Sequence, residues 1–127
     1  MRTRVLVLDD QEYLRDIMAT ILADAGYPAM PVASADEALR LLDELRPDLL
    51  VLDVLLPTIG GLEFLEQLRA KPVWATLPVL IVSGDPTKLL KVEGLPNVGA
   101  LSKPFDASVL VAAVARFLEP TALTQPA

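Results

Sequence analysis

The chain has no cysteine and no histidine. The first absence removes disulfides, thiolate catalysis and zinc–thiolate sites together. The second removes serine–histidine catalysis and histidine-ligated metals from within the chain. Aromatic residues make up only 5% of the 127 residues. No apolar run approaches the roughly 20 residues that span a bilayer. Met1-Arg-Thr-Arg4 leads into a strand-like run and not into a secretory apolar region. Positive charge is also in deficit. The net charge is −6, which argues against direct nucleic-acid binding. A soluble cytoplasmic domain without membrane contact is expected. What remains is apolar residues, at 53%, and carboxylates. The length suits one domain with a sizeable core.

The apolar residues fall into short runs and helical stripes. Val5–Leu8, Leu49–Leu52 and Val79–Val82 are unbroken, as strands buried on both faces of a parallel sheet require. Residues 28–32 and 98–102 read as two weaker strands. Between them, Leu14, Ile17, Met18, Ile21, Leu22 and Ala25 share one helix face, with Gly26 placed for a left-handed C-cap. Ser34-Ala-Asp-Glu37 is a capping box that opens a second helix with Ala38, Leu41, Leu42 and Leu45 inward and Pro47 at its end. Leu62, Leu65 and Leu68 mark a third helix, stopped by Pro72. Leu89, Leu90 and Val92 suggest a fourth helix of about two turns, with these residues in the core. Asp106 is expected to cap the fifth helix, whose stripe is Leu110, Ala113, Val114, Phe117 and Leu118. Phe105 and Leu110 are spaced for a hydrophobic staple. Trp74 is expected to pack in a loop. The repeated βα pattern implies an α/β fold, a five-stranded parallel sheet between two helix layers. Residues 1–119 form the domain, and 120–127 a flexible tail or the start of a linker.

Four strands end on residues able to do chemistry: Asp9 and Asp10, Asp53, Ser83, and Lys103. Parallel strands bring these ends to one sheet edge, where α/β folds hold their ligands. Unit charges 4 Å apart interact by about 4 kcal/mol at an effective dielectric of 20, so clustered carboxylates call for a cation. Oxygen ligands alone favour Mg²⁺, Mn²⁺ or Ca²⁺, and open water positions favour Mg²⁺. A lysine and a hydroxyl opposite a cation suit a phosphoryl group, and a carboxylate can accept one covalently.

Asp9-Asp10, Asp53, Pro57 with Gly61, Ser83-Gly84 and Lys103-Pro104-Phe105, in that order, resemble the receiver domain of two-component response regulators, over residues 4 to 118. The resemblance implies the flavodoxin-like (βα)5 fold with strand order 2-1-3-4-5. It implies that Asp53 accepts a phosphoryl group from a sensor histidine kinase or a histidine phosphotransfer protein. Asp10, Asp53 and the backbone carbonyl of Leu55 would bind Mg²⁺, with Asp9 holding a metal-bound water. Lys103 would pair with one phosphoryl oxygen and Ser83 with another. The Lys103–Pro104 bond would be cis. The output surface would be the fourth helix, fifth strand and fifth helix, facing an effector domain or output protein. Such a domain is no enzyme beyond its own phosphorylation and dephosphorylation.

Two positions depart from the family's pattern. Ala100 stands where an aromatic switch residue is usual, which implies weak or rerouted coupling to the output surface. Leu55 stands where a polar residue often orients the hydrolytic water, which implies a long-lived phosphoryl group unless Asp85 compensates. Two alternatives carry other functions. One is a docking module indifferent to phosphorylation. The other is a small Mg²⁺-dependent phosphatase with Asp53 as nucleophile, disfavoured because Leu55 occupies the place of its general acid.

Overall fold

A computed structural model describes residues 4–54, 56 and 59–119. Five strands form one parallel sheet: β1 (Val5–Leu8), β2 (Ala29–Val32), β3 (Leu49–Asp53), β4 (Val79–Ser83) and β5 (Val98–Ser102). Their order is β2-β1-β3-β4-β5, as the resemblance implied. Five helices connect them: α1 (Glu12–Asp24), α2 (Ala35–Leu45), α3 (Gly61–Arg69), α4 (Pro86–Val92) and α5 (Ala107–Leu118). The period-2 alternation of strands sorts the core into two layers. Leu6, Leu8, Leu50, Leu52, Val79 and Ile81 meet α2, α3 and α4 on one face. Val5, Val7, Leu49, Val51, Leu80 and Val82 meet α1 and α5 on the other. Each fully buried aliphatic side chain contributes about 1.5–3 kcal/mol, so the three central strands carry much of the driving force.

The helix ends follow local chemistry. Gly26 has φ of +96°, the left-handed conformation that closes α1. Ser34 Oγ accepts the Glu37 N–H at 3.2 Å, and Glu37 Oε1 accepts the Ala33 N–H at 3.3 Å. The box is thus reciprocal, although Glu37 reaches one residue further back than its ideal form. We expect Ser34→Ala to cost about 1 kcal/mol in urea unfolding; a loss under 0.3 kcal/mol, within scatter, would mean the cap is idle.

Four expectations need correction. Ala25 is exposed beyond the end of α1 and is not part of its buried stripe. Phe64, not in the expected stripe, is fully buried and centres the inner face of α3. Leu90 is 66% exposed while Val92 is buried, because one short helix cannot turn both inward. Asp106 occupies the N-cap of α5 but its side chain makes no capping hydrogen bond. Phe105 and Leu110 do share a cluster. Trp74 is buried in a 3₁₀ turn, Pro72–Trp74, with the Arg46 guanidinium 5.7 Å from its ring. Arg69 donates to the carbonyls of Trp74 and Asn97, at 2.9 and 3.3 Å. Burial lowers the pKa of this guanidinium.

At the sheet's opposite end, the Tyr27 hydroxyl donates to the Glu119 carboxylate, joining α5 to the entrance of β2. That hydrogen bond, then burial, raises the phenol pKa. The expected tail, 120–127, lies outside the described residues, as do Leu55 and Pro57. Among the described residues no helix is long and apolar enough to cross a membrane.

Candidate functional site

The register brings the strand ends together. Asp53 pairs with Val82, and Ser83 pairs with Ser102. The ladders run slightly past the strands: Asp9 N–H donates to Val32 O at 3.2 Å, and Lys103 N–H to Ser83 O at 2.9 Å. Backbone bonds therefore set the height of Asp9, Asp53, Ser83 and Lys103 along one edge.

Asp9 is fully buried, Asp53 is 4% and Ser83 2% exposed, and Asp10 lies at the surface. Each of the three acids offers one oxygen within 4.8 Å of the others. Lys103 Nζ lies 3.5 Å from Asp53 Oδ1 and 3.7 Å from Asp9 Oδ2. Asp9 Oδ1 accepts the Gln11 N–H at 2.9 Å, whereas Asp9 Oδ2 accepts no hydrogen bond among the described residues. Among the described residues, three carboxylates gather around one ammonium, an excess of two formal negative charges in that set. A buried, unbonded carboxylate oxygen costs free energy that a hard cation recovers. The donor set thus fits Mg²⁺. On the other side, Ser83 Oγ accepts the Asp85 N–H at 3.0 Å, leaving its own proton free to donate. Asp85 Oδ1 accepts the Thr87 N–H at 2.9 Å and caps α4.

Comparisons with known proteins bear on the family. The family model of the response regulator receiver domain matches residues 5–115. The chain belongs to that family. This receiver is 32% identical to the alkaline phosphatase synthesis transcriptional regulatory protein PhoP of Bacillus subtilis, across 99% of the chain and 52% of that protein. It is 30% identical to the phosphate regulon transcriptional regulatory protein PhoB of Escherichia coli, across 98% of the chain and 57% of that protein. The chain thus spans about half the length of these curated relatives. Among solved structures, the Vibrio cholerae chemotaxis protein CheY4 superposes with a TM-score of 0.82 at 28% identity, covering 92% of this chain and 99% of that one. NtrX from Brucella abortus gives 0.84 at 29% identity, covering 98% of this chain and 28% of that one.

The receiver's structure brings together Asp9, Asp10, Asp53 and Lys103, with Ser83 one strand away. The Lys103–Pro104 bond is cis. Ala100 is exposed on β5 and lines an open groove of about 500 Å³ with Pro86, Leu89 and Leu90 of α4. Two residues outside the strand-end set also shape the site. Gly61, noted in the sequence only beside Pro57, has no room for a side chain, since a Cβ there would lie 2.5 Å from the Asp53 carbonyl oxygen. Arg15, which no sequence pattern singled out, donates from Nη1 to the Asp9 carbonyl at 3.1 Å.

Proposed function

We propose that this receiver is switched by transfer of a phosphoryl group from a phosphohistidine to Asp53. The donor sits on a sensor histidine kinase or a histidine phosphotransfer protein. The observation that carries the reading is a nearly buried Asp53 gathered with Asp9 and Asp10, with the Lys103 ammonium 3.5 Å from its Oδ1. A carboxylate oxygen of Asp53 attacks phosphorus, the P–N bond breaks, and the imidazole leaves with a proton. An aspartyl-phosphate remains. Transfer of this kind needs positioning and neutralisation of charge on the moving group. Lys103 meets one equatorial oxygen and the Ser83 hydroxyl donates to another. Asp10 and Asp53, with the Leu55 carbonyl, would hold Mg²⁺, and Asp9 would hold a water of its shell. When bound, the ion would supply charge neutralisation for the transferred phosphoryl group. Asp9 and Asp10 arrive from β1 and Asp53 from β3, so the fold itself brings the ligands together.

Leu55 cannot hydrogen-bond a hydrolytic water, and the Asp85 carboxylate is engaged as the α4 cap, so the phosphoryl group is long-lived. The output runs through α4–β5–α5 to an effector domain or output protein in the cytoplasm. With Ala100 in β5, no aromatic ring at that position follows Ser83, and coupling to this surface is weak or rerouted.

The test is intact mass after incubation with acetyl phosphate and Mg²⁺. Wild type is expected to gain one phosphoryl group, only with Mg²⁺, and Asp53→Asn none. No gain by wild type, under conditions that label another receiver, would favour a docking module. Such a module would bind its partner whatever the state of Asp53.

A further inference from the structure

We propose that Arg15 is a positioning residue for the cation site: it aims Asp10 by gripping the peptide that joins Asp10 to Asp9. The proposal rests on the reading that Asp10 binds Mg²⁺ directly. Asp10 is the exposed member of the acidic cluster, and no described residue hydrogen-bonds its carboxylate. Its aim is therefore set by its backbone. Asp9 is tied down on its own account. Its N–H stays on the β1–β2 ladder through Val32 O, and its Oδ1 accepts the Gln11 N–H. The peptide after it is the first to leave the sheet. The carbonyl of that peptide accepts from Arg15 Nη1 at 3.1 Å. Arg15 is anchored in turn, since its N–H donates to Gln11 O at 2.9 Å in the first turn of α1. Its side chain is only 15% exposed. Rotation of the Asp9–Asp10 peptide plane would swing the Asp10 carboxylate away from Asp53, and the guanidinium opposes that rotation. A group that orients a ligand without touching the metal commonly accounts for about tenfold or more in metal affinity.

A rival account treats Arg15 as a nearby positive charge that merely lowers repulsion among the acids. The two accounts differ in sign. Removing a positive charge beside a cation site tightens cation binding by Coulomb's law. Removing a positioning group weakens it.

The experiment titrates Mg²⁺ alone, by calorimetry at low ionic strength, into the whole chain and its Arg15→Met, Arg15→Lys and Asp10→Asn variants. Wild type is expected to bind and Asp10→Asn to lose binding. Arg15→Met should bind about tenfold more weakly. Arg15→Lys, which keeps a donor and the charge, should recover part of the loss. Thermal unfolding without Mg²⁺ should shift by no more than about 5 °C, as for one lost hydrogen bond, so that weaker binding reflects aim and not unfolding. Unchanged or tighter binding by Arg15→Met overturns the proposal while the Mg²⁺ reading stands. If wild type fails to bind, or Asp10→Asn binds as well as wild type, the Mg²⁺ reading falls and this proposal falls with it. If Arg15→Met is unstable, the Arg15→Lys variant decides alone: weaker binding than wild type supports the proposal, and affinity equal to or above wild type overturns it.

Discussion

Replacing Lys103 by methionine is expected to slow phosphorylation of Asp53 by about 10²–10³-fold, the usual loss when one preorganised charge stabiliser is removed. Methionine keeps the length of the side chain and much of its packing. What disappears is the ammonium 3.5 Å from Asp53 Oδ1 and 3.7 Å from Asp9 Oδ2. Those distances are long for charge-assisted hydrogen bonds. The lysine therefore stands beside the acids without being spent on them, and can turn to a phosphoryl oxygen when one arrives. The same substitution should tighten Mg²⁺ binding, because it removes a competing cation from beside the three carboxylates. Opposite movements of affinity and rate are the signature. The measurement is the initial labelling rate from acetyl phosphate at saturating Mg²⁺, followed by intact mass. A rate within threefold of wild type would sink the assignment of Lys103.

The second large effect falls on a residue with no functional group. Gly61→Ala is expected to destabilise the fold by about 1–3 kcal/mol, as overpacking against fixed atoms does. It should also slow labelling by about 10²-fold, since a displacement near 1 Å can cost that much. The built Cβ lies 2.5 Å from the Asp53 carbonyl oxygen, 2.7 Å from Val54 Cα and 3.1 Å from the Val54 carbonyl oxygen. All three are backbone atoms at the end of a buried strand, so none can step aside alone. Gly61 N–H also donates to Val54 O at 2.7 Å, which pulls α3 onto the acceptor strand. The glycine is needed here for space and not for a left-handed φ. Urea unfolding and the labelling rate would check both halves. Stability within about 0.5 kcal/mol of wild type, the scatter of ordinary surface substitutions, would show that the α3 entrance yields freely.

The legible features of this chain are those that short-range chemistry determines. Three unbroken apolar runs declared themselves as strands buried on both faces. The Ser34–Glu37 spacing and Gly26 marked helix ends, because capping is settled within a few residues. Each site acid or base was visible as the residue that ends such a run, since a parallel sheet sends every strand end to one edge. Features that depend on what packs opposite were less legible. Phe64 outranks Leu62 in α3 because the seating of the helix on the sheet turns Phe64 fully inward and leaves Leu62 only partly buried. Leu90 and Val92 are both apolar, and only the position of α4 over the sheet turned one outward. Asp106 sits at an N-cap by spacing, but side-chain direction decided that it does not bond there.

By itself, the sequence determined the fold class, the five-fold βα order and the membership of the acidic and basic set. Pattern and composition act locally, and a strand cannot end on an acid without showing it. Only the tertiary structure decided the distances among those groups. It left one Asp9 oxygen buried without a hydrogen bond among the described residues, placed Lys103 beside two carboxylates, pressed Gly61 against the acceptor backbone and brought Arg15 onto the Asp9 carbonyl. These contacts join strands and helices far apart in the chain or side chains to backbone atoms. Their lengths are set by register and packing, which no single stretch of sequence contains.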